Sequence, residues 1–181
     1  MSQTPISVGG FPLPSDAPAF LAVLAVHVLA GLGSVTTGLI AMLSPKGPGR
    51  HPRFGTLYYR FLTVVFISTA ILSALRWVED YHLFILGALS FSAAFLARRA
   101  VRGRSCGWVR LHITGMGLSY VLLLTAFYVD NGKNLPLWRD LPSLSYWLVP
   151  AAVGVPLILR ALWRHPLALA ERERVGKGAA P

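Results

Sequence analysis

The sequence has few charged residues, very few acidic ones and a single cysteine. Charged residues make up 13% of the 181 residues, whereas a soluble domain carries about a quarter. With a mean hydropathy of +0.57, the chain lacks the charge needed to cover a water-facing surface. The lone cysteine, Cys106, excludes an intrachain disulfide and a cluster of thiolate ligands. The composition therefore excludes a soluble enzyme, a disordered chain and a disulfide scaffold.

Apolar residues are instead concentrated in five long blocks. These blocks are Ala17–Leu43, Phe54–Val78, Tyr81–Ala100, Gly107–Val129 and Ser145–Trp163. Each is close to the roughly 20 residues that cross a hydrocarbon core, and in lipid a helix satisfies every backbone amide within its own segment. The pattern predicts an all-α, polytopic membrane protein with five transmembrane helices. We expect an external segment at residues 1–16, a single five-helix transmembrane domain at 17–164 and a cytoplasmic tail at 165–181.

The basic residues predict how the chain is threaded. Fourteen of the seventeen lie beside block ends that face one side of the membrane. Lysine and arginine are retained on the cytoplasmic side, which places the N-terminus outside and the C-terminus inside. We expect a multi-pass protein of the bacterial inner (cytoplasmic) membrane.

The net charge of +10 and the pI near 10.7 come from these same basic residues. Because the positive charge is gathered on one side, it follows from topology and does not indicate nucleic-acid binding. The partners expected from this pattern are the lipid bilayer and anionic headgroups on the cytoplasmic side.

His27, in the first block, is the most informative polar residue. Gly31, Ser34 and Gly38 follow it at spacings of four, seven and eleven and share its helix face. One interpretation is a histidine hydrogen-bonded to a neighbouring helix in a glycine-rich packing seam. The other is a ligand for haem or a metal ion, or a proton relay.

The fourth block carries a second polar stripe. His112, Met116, Ser119 and Tyr120 lie on one helix face. Haem b held between helices needs axial ligands such as histidine or methionine. His27 with His112, or His27 with Met116, would supply them, with Tyr120 also lining the cofactor site. The alternative is that this stripe is a polar packing face.

A third candidate is a metal site at the cytoplasmic interface. His51 precedes the second block and would approach His112, with Cys106 or water completing the ligands. The alternative is an interfacial turn that binds lipid headgroups.

Several short motifs together resemble a bacterial family of small predicted membrane proteins that is described only as a domain of unknown function. They are His27, Lys46-Gly47, the His-x-Arg-x-Gly-x-x-Tyr pattern from His51 to Tyr58, Arg110-Leu111-His112, and Met116 with Ser119-Tyr120. Pro52 departs from the His-Arg pair that is commoner in that family. The resemblance covers roughly residues 24–150 and implies an integral inner-membrane protein, without a reaction.

These observations predict a small redox-associated membrane module for electron transfer. His27 and His112, or Met116, would face a haem, a metal ion or a quinone. The alternative is a non-enzymatic protein, either a small transporter subunit or a membrane assembly partner. In that case the glycine-rich face of the first helix would contact another membrane protein or a second copy of the chain.

Overall fold

The structure, a computed structural model, describes residues 6–8, 11–13, 17–104, 107–166 and 168–169. Cys106, which the sequence offered as a metal ligand, lies outside the described residues. So does most of the predicted external segment and, from residue 170 onward, the predicted cytoplasmic tail.

Five helices account for most of the described chain. They are α1 (Pro18–Leu43), α2 (Arg50–Leu75), α3 (Trp77–Gly103), α4 (Trp108–Asn131) and α5 (Ser143–Arg164). A small antiparallel hairpin of β1 (Ile6–Val8) and β2 (Phe11–Leu13) precedes α1, and a 3-10 turn at Gly132–Asn134 follows α4. All five helices are long and apolar enough to cross a membrane. The prediction of a multi-pass protein with five helices of this kind is confirmed.

The starts of α2 and α3 differ most from the sequence-based bounds, since each lies four residues earlier than expected. Helix α2 begins at Arg50, four residues before the apolar block, and takes in His51, Pro52 and Arg53. Proline is tolerated there because an amide in the first turn has no intrahelical partner to lose. At its other end α2 stops at Leu75, and α3 starts after a single residue, Arg76. The predicted turn at His51 is therefore the first turn of a helix.

The chain divides into two compact units. One comprises Met1–Gly87 with Asn131–Asp140, and the other Ala88–Asp130 with Leu141–Pro181. The first contains α1, α2 and the beginning of α3, and the second contains the rest of α3 with α4 and α5. The single transmembrane domain expected from the sequence stays a prediction.

In the first unit α1 packs along α2. The buried face of α1 is mostly small and polar, as expected, and includes Ala30, Ser34, Thr37 and Gly38. The buried face of α2 consists of Tyr58, Leu62, Val65, Ser68, Thr69 and Ser73. Small residues let two helix backbones approach where lipid removes the usual hydrophobic driving force.

In the second unit glycines mark the closest approaches. An added Cβ on Gly115 of α4 would lie 2.9 Å from the Ala93 carbonyl oxygen of α3. A Cβ on Gly154 of α5 would overlap the Val121 side chain of α4. Ser90 of α3 donates a hydrogen bond of 2.8 Å to the backbone carbonyl of Ser119. These contacts fix α4 between its two neighbours within this unit.

Replacing Gly115 by valine should destabilise the protein, because the nearest obstacle is backbone and cannot rotate away. We expect a loss of about 1–3 kcal/mol, the usual cost of overpacking. Thermal unfolding in detergent, followed by tryptophan fluorescence, measures it. Gly55→Ala is the matched control, since a Cβ at Gly55 meets nothing within 4 Å and alanine favours a helix by about 0.5–1 kcal/mol. Equal melting temperatures for Gly115→Val and the wild type would contradict the close packing of α3 on α4.

Candidate functional site

The side chain of His27, in α1, is hydrogen-bonded to a side chain of α2. Its Nδ1 lies 2.9 Å from the hydroxyl of Ser68. His27 is nine residues from the start of α1, which at 1.5 Å per residue puts it about 14 Å along the helix. The imidazole is therefore well inside the membrane-spanning segment and half-buried.

The surroundings of Ser68 favour one of the two imidazole tautomers of His27. The Ser68 hydroxyl lies 2.8 Å from the Val64 carbonyl and 2.9 Å from the Val65 carbonyl. Carbonyls only accept, so a hydroxyl that donates to either of them accepts from Nδ1 of the ring. In that tautomer the neutral imidazole carries its proton on Nδ1 and keeps a lone pair on Nε2. This is the tautomer found in histidines that ligate metals through Nε2.

Two further features of α1 adjoin His27. Gly31, one turn along, has open space where a side chain would project, since an added Cβ would meet nothing within 4 Å. Ser34, two turns along, is fully buried, and its hydroxyl has no hydrogen-bond partner within the described residues. A buried hydroxyl without a partner costs free energy and calls for an explanation such as a ligand or a water molecule. The face selected from the sequence therefore combines a hydrogen-bonded histidine, open space and a buried hydroxyl without a partner among the described residues.

The turn between α1 and α2 is held by helix carbonyls. The Lys46 ammonium donates to the carbonyls of Met42 at 2.6 Å and of Ala41 and Ser44 at 3.2 Å each. His51 Nδ1 lies 2.8 Å from the same Ala41 carbonyl and must donate to it. Partial burial lowers the pKa of Lys46 from its ordinary value. Both side chains thus cap the end of α1, where unpaired carbonyls favour positive charge.

The remaining candidates belong to the second unit. His112, Met116 and Tyr120 are half-buried on α4, at about 6, 12 and 18 Å along the helix from its start at Trp108. Ser119, from the same predicted stripe, is fully buried and bonded to Ser90. Part of this stripe is therefore a polar packing face.

His27 and His51 lie in the first unit, and His112, Met116 and Tyr120 lie in the second. The haem pairs and the metal pair that the sequence offered each join residues of both units, and they stay predictions. Within the part of the chain that the structure describes, no three or more His, Cys, Asp or Glu side chains come together as a metal-binding group.

No protein-family model, curated protein or solved structure matches this chain. The resemblance to the family of small membrane proteins stays a prediction.

Sequence reasoning missed the partners of the candidate residues. Ser68 stands in the mostly apolar run at residues 64–72, and Ser90 stands in a similar run of α3. A hydroxyl inside a span is a signal, because it must find an acceptor there. The signal does not identify which residue of the neighbouring helix is the partner, since that depends on the register of the two helices.

Replacing Ser68 and Ser34 separately by alanine should have different effects on stability. Ser68→Ala removes the hydrogen-bond partner of His27 Nδ1 and should cost about 0.5–1.5 kcal/mol, the value of one such hydrogen bond. Ser34→Ala removes a buried hydroxyl without a described partner, so it should be neutral or stabilising. Chemical unfolding in mixed micelles compares the two. A larger loss for Ser34→Ala than for Ser68→Ala would show that the hydrogen bonding described for these serines is wrong.

Proposed function

We propose that this protein is a small redox-associated membrane module in which His27 ligates the iron of haem b. The observation that supports this proposal is the hydrogen bond between His27 Nδ1 and Ser68. With the Ser68 hydroxyl donating to the Val64 carbonyl, Nδ1 is the donor and Nε2 keeps a lone pair. A ligating histidine characteristically donates its second ring N–H to a nearby acceptor, which orients the ring and raises its basicity. Ser68 supplies that acceptor. When bound, the haem would supply one-electron chemistry.

The protonation of His27 favours haem over a quinone or a hydrated metal ion. A quinone carbonyl accepts hydrogen bonds and needs a donor, whereas Nε2 of His27 is itself an acceptor. A metal ion outside a porphyrin needs three or four protein ligands, and the described residues offer no such group. A haem needs only one or two axial side chains. The flat ring would also use the open space at Gly31.

The sequence offers His112 and Met116 of α4 as candidates for a second axial ligand, since histidine and methionine are common haem ligands. It offers Tyr120 as a further residue of the cofactor site, and this part of the proposal rests on the sequence alone. The proposal requires only His27, because a five-coordinate haem keeps a single protein ligand.

The second candidate is a non-enzymatic membrane partner protein. The observation that favours it is again Gly31, because open space over a glycine admits the backbone of a further transmembrane helix. That helix would belong to a transporter, to an assembling complex or to a second copy of this chain.

For either candidate, we propose that the protein lies in the bacterial cytoplasmic membrane, with its N-terminus outside and its C-terminus inside. Fourteen of its seventeen basic residues would then face the cytoplasm.

Reporter fusions test the orientation. A C-terminal green fluorescent protein should fluoresce, because it folds in the cytoplasm, and a C-terminal alkaline phosphatase should be inactive for the same reason. Phosphatase fused after Lys133, between α4 and α5, should be active. Activity of the phosphatase at the C-terminus would overturn the proposed orientation.

Visible spectra of the detergent-purified protein, titrated with haemin and then reduced, test the haem site. We expect a Soret band that saturates with one haem per chain in the wild type and is lost in His27→Ala. Ser68→Ala should bind haem 10- to 100-fold more weakly, roughly the usual cost of losing a histidine's outer hydrogen bond. His82→Ala, which removes a histidine at the start of α3, is the control and should bind normally.

The variants His112→Ala and Met116→Leu identify the second ligand. The one that supplies it should convert a low-spin spectrum into a high-spin one while haem stays bound. If the folded wild type binds no haem, or if His27→Ala binds it with unchanged affinity, the haem proposal is wrong. A colourless protein that co-purifies with another membrane protein, and loses it in Gly31→Leu, would establish the second candidate.

A further inference from the structure

The end of α1 and the start of α2 form a groove at the edge of the membrane-spanning region. It is an open cavity of about 220 Å³ lined by Ile40, Leu43, Ser44, Pro45 and Arg50. Drug-sized ligands occupy cavities of roughly 300–1,000 Å³, so this groove is large enough to hold only part of a larger molecule.

The groove is lined by apolar side chains and by a cationic one. Ile40, Leu43 and Pro45 present an apolar surface, and Leu43 is 76% exposed. Ser44 is buried, and its hydroxyl is already bonded to the Ile40 carbonyl at 2.6 Å. Among the described residues that line the groove, Arg50 is then the one cation. An apolar surface beside an arginine matches a molecule with a hydrocarbon chain and an anionic head.

Among the residues that the structure describes, no acidic side chain pairs with the positive charge around the groove. No acidic residue occurs between Asp16 and Glu79, which covers α1, α2 and the turn between them. Arg50, Arg53 and Arg60 are exposed and form no ion pair among the described residues. Lys46 points its ammonium at the carbonyls that end α1. Arg50 is therefore the group positioned to bind an anion at the groove.

We propose that this groove is a binding site for an anionic phospholipid. One acyl chain lies against Ile40, Leu43 and Pro45, and the phosphate pairs with the guanidinium of Arg50, whose planar fork matches phosphate oxygens. Arg53 and Lys46 add positive charge that favours a lipid with net negative charge over a zwitterionic one. The site is independent of the haem proposal, since it uses neither His27 nor α4.

Native mass spectrometry of the whole protein in detergent, titrated with phosphatidylglycerol or phosphatidylcholine, tests the site. We expect the wild type to bind phosphatidylglycerol more tightly than phosphatidylcholine. Arg50→Gln should weaken phosphatidylglycerol binding roughly fivefold, the contribution of one basic residue at a lipid surface. Arg60→Gln is the matched control, because it removes the same charge from the same helix about 15 Å away along the axis. It should change the affinity less than twofold, well below the roughly fivefold effect of one basic residue at a lipid surface.

Two further arms separate a lipid site from a general anion site. Leu43→Ser alters an exposed apolar residue of the lining, so it should weaken lipid binding without unfolding the protein. Inorganic phosphate at millimolar concentration should not displace the bound phosphatidylglycerol. Equal losses in Arg50→Gln and Arg60→Gln, equal affinity for the two lipids, or displacement by phosphate would each overturn the proposal.

Discussion

The structure depends on one constraint, which is that polar groups inside a hydrocarbon layer must be satisfied by the protein itself. Several hydroxyls in the described spans meet it locally by donating to a carbonyl one turn back, as Thr36, Thr63 and Thr125 do. Such bonds add nothing between helices. The few polar side chains that reach another helix, above all His27 with Ser68 and Ser90 with Ser119, therefore mark the positions where helix register is fixed.

The same constraint explains how far the sequence determines the fold. Length and hydropathy identify five helices because a span must be continuous and apolar, and the observed bounds of α1 and α5 lie within two residues of the expected ones. The start of α2 was missed because Arg50, His51 and Arg53 are polar and lie where the span reaches water. His27 was selected as a candidate because it is a polar residue inside an apolar block and shares a helix face with small residues. Its partner, Ser68, was not found, because nothing in the local sequence fixes the rotation of α2 against α1.

The contacts of the glycines also cannot be predicted from the local sequence. The sequence presents Gly31, Gly33 and Gly115 as equivalent small residues in apolar helices. In the structure a Cβ on Gly33 would lie 3.0 Å from the Phe61 ring, and one on Gly115 would meet backbone, whereas Gly31 has open space. Two of these glycines thus permit contacts within their own units. An added Cβ on Gly31 would meet no atom within 4 Å. Gly31 lies one turn from His27, whose Nε2 is proposed to bind haem iron.

The polar groups of α1 and α2 have separate roles near the middle of the helix pair and at its end. Near the middle of the pair, Nδ1 of His27 is hydrogen-bonded to Ser68, so the atom proposed to react is Nε2, which suits a metal centre more than an anion. At the end of the pair, Lys46 and His51 direct their donors to the carbonyls of α1, which leaves Arg50 as the cation at the groove. A nitrogen lone pair in the interior suits a metal centre, whereas a cation at the interface suits an anion. The proposed haem site and the proposed lipid site share no residue. Each can therefore be tested by substitutions that leave the residues of the other site unchanged.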